Sequence, residues 1–392
     1  MAGLTGGGEA AGVPGGDRLL GAILVVNAGS SSVKLRLLGA DDAVIGSIDL
    51  PAPTGQADLA EVARAIAALG DMATASGAGP IAAVGHRIVH GGTRYSGPVR
   101  ISPEVEARLR ALTDLAPLHQ PKSLAALAAV NAALPGLPAV ACFDTAFHAS
   151  MPPAATTYAL PAEWRTRWDL RRYGFHGLSH AYAARRAAEL VGRPVADLRI
   201  VSCHLGAGAS LAAVEGGRSV DTTMGFTPLE GLVMATRSGS VDPGLVLWLL
   251  EHVGMPPAEL ASTLEHRSGL AGLAGTPDMR QVLAAAVAGD VTATLARDVY
   301  VHRLRGAIAS MTASMGGLDV LLFTGGVGEN APAIRALATG DLGFLGVAVD
   351  PAANVAAVPD AEIGAADARV RVLVIAARED LEIAHEVRAV LA

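Results

Sequence analysis

The chain has 392 residues, enough for two domains with sizeable cores. Its hydrophobic content of 51% is swollen by alanine, and no uninterrupted apolar run reaches the roughly 18 residues that a membrane-spanning helix needs. A formal net charge of −7 without a long basic run argues against nucleic acid as the main partner.

Residues 1–18 are rich in Gly and Ala and lack a basic start followed by an apolar core. They read as a disordered leader, extending to about residue 20, rather than a signal peptide. Strand-like runs follow at 22–27, 33–38, 81–84, 139–143, 199–203, 210–214, 319–323 and 371–375. Helix-like Ala/Leu/Arg stretches lie between them at 57–69, 103–113, 122–133, 179–191, 243–253, 290–315 and 379–391. This mixture indicates an α/β protein. Cys142 and Cys203 each sit inside an apolar run and read as small core residues; so few cysteines and no export signal fit a reducing cytoplasm.

The first strand pair carries the densest information. Ala22–Val26 is apolar, Asn27 ends the run, and a turn of Gly and three Ser precedes Val33, Leu35 and Leu37, which alternate with Lys34 and Arg36. Such a turn lets backbone N–H groups approach an anion closely, and Lys34, one of only two lysines beside 28 arginines, adds charge next to it. It is not a Walker A loop, which needs Gly-x-x-x-x-Gly-Lys-Ser/Thr before a helix; an ordinary Gly-Ser hairpin is the plain alternative. Residues 199–214 repeat the pattern of apolar strand, Gly-rich turn and apolar strand, with Asn27-Ala28-Gly29 aligning with His204-Leu205-Gly206. Two such hairpins suggest two related domains facing each other across a cleft. A third Gly-rich turn runs from Phe323 to Asn330.

Further segments place polar residues where a core would reject them. These are Val84–Gly92 with His86, Arg87 and His90, the Pro-bounded loop Leu115–Pro121, Cys142–His148 with Asp144, Tyr173–His180, and Asp221–Gly239 with Arg237. His176/His180 and His86/His90 have i, i+4 spacing, which invites a zinc reading, but no Glu follows the first His as in His-Glu-x-x-His. Arg87 and Arg237 as plain ion pairs and Asp144 as a helix N-cap are the structural alternatives.

Together these segments resemble the acetate kinase family from about residue 22 to the C-terminus. The Asn-x-Gly-Ser-Ser-Ser-x-Lys hairpin and the segment ending at Arg237 match its two signature regions. The resemblance implies two duplicated ribonuclease H-like (actin-like ATPase) domains around a central active-site cleft. Residues 21–150 plus 378–392 would form the N-terminal domain, and 151–377 the nucleotide-binding domain. It further implies reversible, Mg²⁺-dependent (or Mn²⁺-dependent) transfer from ATP to acetate giving acetyl phosphate and ADP, in a cytoplasmic homodimer with no nucleic-acid or membrane partner. Propionate or butyrate kinase, and a nucleotide-binding sensor that has lost catalysis, are the alternatives.

Carried over by position, Asn27 and Glu379 would help hold Mg²⁺. Ser30, Ser32 and Lys34 would lie near the phosphoryl group, and Arg87 and Arg237 would grip carboxylate and γ-phosphoryl. His176, with His119 close by, would donate to an equatorial oxygen; Asp144 would organise metal-bound water and a neighbouring arginine rather than act as a base. His204, Leu205, Gly206, Ala207 and Gly208, then Asp278, Met279 and Arg280, then Gly326, Val327, Gly328, Glu329 and Asn330 would surround the nucleotide. Val89, Leu118, Phe175 and Pro228 would wall a small apolar pocket.

The chain departs from the family pattern at three places. Ala207 stands where Asn is usual, Ala235 and Ser240 replace Gly and Asp around Arg237, and the C-terminal motif reads Ala377-Arg-Glu-Asp380, keeping the carboxylate of Glu379. The first of these removes an amide that could touch a phosphate oxygen.

Overall fold

The structure, a computed structural model, describes residues 21–29, 32–52, 58–115 and 120–392. The proposed leader, Ser30, Leu118 and His119 lie outside the described residues.

Two six-stranded sheets organise the chain. The first holds β1 (Ala22–Ala28), β2 (Ser32–Leu38), β3 (Val44–Pro51), β4 (Ile81–Ile88), β5 (Val99–Arg100) and β6 (Ala139–Phe143) in the order β3-β2-β1-β4-β6-β5. The second holds β7 (Arg199–Leu205), β8 (Ala209–Glu215), β9 (Arg218–Thr222), β10 (Val320–Thr324), β11 (Ala361–Glu362) and β12 (Arg371–Val374) in the order β11-β12-β10-β7-β8-β9. The two repeat one topology. In each, a strand pairs antiparallel with its hairpin partner on one side (β1 with β2, β7 with β8) and parallel with a later strand on the other (β1 with β4, β7 with β10). The faint sequence repeat is therefore a duplication of fold, and Asn27 and His204 occupy matching places near the ends of β1 and β7.

β1 reads as a continuous apolar run because it is buried on both faces. Leu24 and Val26 face Val62, Leu69 and Val130, whereas Ile23 and Val25 face Ile383 and Val387 of the C-terminal helix Glu379–Leu391. That helix thus returns to the first sheet and delivers Glu379, its first residue, to the cleft. Gly85 of β4 makes this docking possible, since a Cβ there would strike the side chains of Ile383 and Val387. The helix Gly177–Val191 bridges the halves: Ala183, Ala184 and Ala187 pack on the second sheet, while Leu178 joins the cluster under the C-terminal helix.

Several elements differ from the sequence expectation. The strand expected at 81–84 continues through the polar Gly85-His86-Arg87 because β1 and β6 flank it on both sides. The helix expected at 57–69 runs from Leu59 past Gly70 to Ser76, where Gly77 at φ +74° ends it. β3 and β9 were not foreseen; both are edge-side strands with mixed exposure, and β9 is largely polar. The segment Phe323–Asn330 is not a turn but the end of β10 followed by a short helix, Gly325–Asn330. Gly325 is needed at that junction, with φ +78° and the Leu205 carbonyl 2.9 Å from where a Cβ would sit.

Candidate active site

The carboxyl ends of the parallel strands of both sheets open onto one cleft, the usual position for ligands in open α/β sheets. A cavity of about 460 Å³ lies there, lined by Asn27, Lys34, Arg87, Val89, Asp144, Phe175, His176, His204, Ala207, Gly208, Pro228, Arg237, Gly326 and Glu379. A second, of about 440 Å³, adjoins it through Ala207 and Gly326 and adds Gly206, Asp278, Met279, Arg280, Val327 and Asn330.

The first sheet supplies a carboxylate–guanidinium cluster. Arg87, near the end of β4, donates from Nε and Nη2 to the two oxygens of Asp144 at 2.9 and 2.7 Å, and from Nη1 to Asn27 Oδ1 at 3.0 Å. Asn27 Nδ2 donates in turn to Glu379 Oε2 at 2.8 Å, and Glu379 lies 3.7 Å from Arg87. Burial alone would raise the Glu379 carboxyl, but Arg87, His204 and Asn27 together hold it below its usual range. Each oxygen of Asp144 accepts one N–H of the guanidinium, and among the described residues Asp144 stands as the partner of Arg87 rather than as a helix cap.

The second half supplies histidines and Arg237. His176 precedes the helix Gly177–Val191 in a left-handed conformation, φ +59°, rare for a side chain with a Cβ. Its Nδ1 lies 2.9 Å from Ser210 Oγ, and its ring lies 4.3 Å from that of His204. His180, one turn on, is fully buried with Nδ1 at 2.8 Å from Ser202 Oγ and Nε2 at 2.8 Å from Ser210 Oγ, so both of its nitrogens are engaged by hydroxyls rather than presented to a metal. Burial, then the neighbouring His204 and Arg87, push the His176 imidazole well below its ordinary pKa, which keeps it neutral. His148, also buried, bonds the Phe175 carbonyl at 3.0 Å and Ser219 Oγ at 2.8 Å, anchoring the backbone just before His176.

Arg237 is held at Nε by Glu265 Oε2, 2.9 Å, while its Nη1 reaches the cavity. Gly208 makes room for it: a Cβ at that position would lie 3.3 Å from His176 Nε2 and 3.5 Å from Arg237 Nη1. A small space is therefore bounded by a histidine nitrogen, a guanidinium and a glycine backbone. On one side stand Val89, Phe175 and Pro228. The Pro228 loop is tied to the Phe175 segment by Arg172, whose Nη2 donates to Glu230 Oε1 at 2.6 Å, and by Tyr158, which donates to Glu230 Oε2 at 2.6 Å and accepts from the Phe226 N–H at 2.9 Å.

Of the other residues expected at the site, Ser32 opens β2 and lines neither cavity. The Leu205 side chain points into the core. Gly328 is buried with its carbonyl bonded to Arg335, and Glu329 Oε1 accepts from the N–H groups of Gly325 and Ala377, joining the helix start to the C-terminal segment. Sequence reading missed Arg36, Gly325, Ala377 and Asp380 on the first cavity, and Leu270, Pro277 and Tyr300 on the second. Ser202 and Ser210 carried a signal, as polar residues inside otherwise apolar strands; Glu265, 28 positions from Arg237, carried none.

Hard-oxygen donors suited to Mg²⁺ gather at one edge of the cavity: the ionised Glu379, the Asn27 amide oxygen and Asp144. Mg²⁺ is usually held by one or two carboxylates together with water and substrate phosphate, and this set fits that pattern.

Comparison with known proteins agrees over nearly the whole chain. The model of the acetokinase family matches residues 22–385. An acetate kinase of Leifsonia xyli is 46% identical over 389 residues, covering 94% of this chain and 98% of its own length. One from a Synechococcus strain is 53% identical over 308 residues, covering 78% and 76%. The crystal structure of Porphyromonas gingivalis acetate kinase superposes with a TM-score of 0.86 at 36% identity, covering 95% of this chain and 100% of that one. A propionate kinase from Francisella tularensis gives 0.85 at 35% identity, covering 93% and 98%. With the duplicated fold, the cleft and these matches in agreement, the chain belongs to the acetokinase family.

Proposed function

We propose that this protein is an acetate kinase that moves the γ-phosphoryl group of ATP reversibly onto the carboxylate of acetate. The observation that carries the reading is the small space bounded by Gly208, His176 Nε2 and Arg237 Nη1, in the same cavity as Arg87 and beside an apolar wall. Phosphoryl transfer asks for in-line positioning and neutralisation of charge on the equatorial oxygens. Arg237 and His176 face that position. Arg87 offers positive charge to an acid whose methyl would rest on Val89, Phe175 and Pro228. The acceptor is ionised at neutral pH, since carboxyl groups titrate near about 4.3, so no general base is required and the engagement of Asp144 by Arg87 costs nothing in mechanism. Mg²⁺, with Mn²⁺ as a substitute, would be held through Asn27, Glu379 and water ordered by Asp144; when bound it neutralises phosphate charge. The second cavity, between Asp278–Arg280 and the helix Gly325–Asn330, is the place for the nucleoside.

The experiment is a hydroxamate assay for acyl phosphate with purified protein, MgATP and acetate, propionate or butyrate. Formation of acetyl phosphate supports the reading; nucleotide binding without any acyl phosphate would favour the sensor. The close match to a propionate kinase keeps that acid as the second reading, because one methylene in an apolar pocket is worth only about 1–3 kcal/mol. The division into 21–150 plus 378–392 and 151–377 follows the two sheets and the returning helix, and is proposed with it.

A homodimer and a cytoplasmic location complete the reading. No helix among the described residues is long and apolar enough to cross a membrane. The helix Pro243–Glu251 nevertheless leaves Leu245, Leu247 and Trp248 about half exposed, a face suited to a second copy. Sedimentation at two mass units supports this; a monomer at micromolar concentration refutes it.

A further inference from the structure

The hydrogen bonds behind His176 form a continuous chain. Ser202 Oγ meets His180 Nδ1 at 2.8 Å, His180 Nε2 meets Ser210 Oγ at 2.8 Å, and Ser210 Oγ meets His176 Nδ1 at 2.9 Å. Ser202, Ser210 and His180 are all fully buried. With both imidazoles neutral, each ring carries one N–H and each hydroxyl one O–H, so the hydrogens can run along the chain in one direction or the other. A third order, in which both rings donate to Ser210, strands the buried Ser210 hydroxyl hydrogen, whose acceptors among the described residues are these two rings alone.

In the first order, Ser202 donates to His180 Nδ1, His180 Nε2–H donates to Ser210, and Ser210 donates to His176 Nδ1. His176 then carries its proton on Nε2, facing the space beside Gly208 and Arg237. In the second order every hydrogen is reversed. His176 would then carry its proton on Nδ1 and turn a bare nitrogen lone pair toward the cavity, while the Ser202 hydroxyl would be left with no acceptor. His180 is the only hydrogen-bond partner of Ser202 side-chain oxygen among the described residues. A buried hydroxyl hydrogen without an acceptor is costly, so the far end of the chain selects the first order.

We infer that Ser202, Ser210 and His180 are positioning residues that fix His176 in the Nε2–H tautomer and so make it a hydrogen-bond donor to the transferring phosphoryl group. The inference deepens the proposed phosphotransferase reading and rests on it for the last clause. A phosphoryl oxygen is an acceptor. The same ring in the opposite tautomer would set a lone pair against it, so the chain turns a distant strand serine into a determinant of rate. His176 needs no positive charge for this role, and its burial beside His204 and Arg87 keeps it neutral.

The test uses Ser202→Ala and Ser210→Ala in the full chain, with ¹⁵N-histidine NMR and steady-state kinetics. Both substitutions are small and remove only a hydroxyl. The unmodified protein is expected to show His176 almost wholly as the Nε2–H tautomer at neutral pH. Ser202→Ala removes the selecting donor, so His176 should become a mixture of tautomers and kcat should fall roughly 5- to 20-fold, with the KM for ATP unchanged. Ser210→Ala cuts the chain beside His176 and should do the same or more. A His176 found as the Nδ1–H form in the unmodified protein overturns the inference. So does an unchanged tautomer in both variants, or a changed tautomer with unchanged kcat. If the unmodified protein makes no acyl phosphate, the kinase reading itself fails, while the NMR result still decides whether the serine–histidine chain orders the proton.

Discussion

Arg87 and Asp144 meet as a fork, with two guanidinium nitrogens on two carboxylate oxygens at 2.9 and 2.7 Å, and the third guanidinium nitrogen turns to Asn27 and Glu379. One arginine thus joins the ends of β1, β4 and β6 to the start of the C-terminal helix. Asp144 is 2% exposed. Replacing it with alanine leaves a largely buried guanidinium with half of its compensation gone. Asp144→Ala is therefore expected to lower stability by about 3–5 kcal/mol, measured by urea unfolding, and to abolish most activity. A loss below about 1 kcal/mol would mean that Glu379 alone satisfies Arg87.

Arg237 is held by Glu265 at Nε and by the Pro228 carbonyl at Nη1, and Nη1 borders the space beside Gly208. Arg237→Ala is expected to reduce kcat on the order of 10³-fold, as loss of a charge-stabilising arginine does in phosphoryl transfer. A reduction under about tenfold would remove Arg237 from the transition state.

Gly208 offers a complementary probe because the change adds atoms instead of removing charge. A methyl there enters the space between His176 Nε2 and Arg237 Nη1, with contacts of 3.3 and 3.5 Å. Gly208→Ala should lower kcat on the order of 10²-fold by displacing the phosphoryl position, while the melting temperature moves little. Equal catalysis in the variant would show that the phosphoryl group sits elsewhere.

Ala207 borders both cavities at the hairpin tip. Ala207→Asn supplies an amide at a place where nucleotide phosphates would pass, and it should tighten ATP binding or raise kcat. Titration of MgATP by calorimetry, together with turnover, checks this; no change in either shows that the amide is not felt.

Stability should depend on pH through the buried histidines. Burial depresses His86 to about 3, and His90 and His148 to about 4. In the unfolded chain each titrates near about 6.5, so below that value the unfolded state binds protons that the folded state refuses. The stabilisation they give is complete above pH about 6.5 and is lost as the pH falls toward the folded values, at about 1.4 kcal/mol per unit per group. Glu386, raised to about 7 mainly by burial, acts in the opposite sense between its unfolded value and 7 and offsets one of the three. The urea midpoint should fall between pH 7 and 5, and His148→Gln should make the fall shallower. A midpoint that stays flat over this range would contradict the burial of these rings.

The hairpin Ala22–Leu38, its echo at 199–214 and the polar segments around Arg87, Asp144, His176 and Arg237 could be read from the chain because local chemistry marks them. A central strand buried on both faces must be continuously apolar, an anion loop needs small residues, and charged side chains in such surroundings need a reason. Those rules delivered the α/β class, the duplication and the residues that meet in the cleft. Other facts depended on distant segments coming together. β9 is too polar to announce itself and exists because β8 offers it a partner. Gly328 and Glu329 sit in the same Gly-rich run as Gly326, yet helix geometry turns them toward Arg335 and Ala377 instead of the cavity. Glu265 reaches Arg237, and Ser202 stands behind His180, through contacts that no local pattern encodes. Sequence determines which groups want a partner, whereas the choice of partner, and with it the side of His176 that holds the proton, is decided by packing two sheets around one helix.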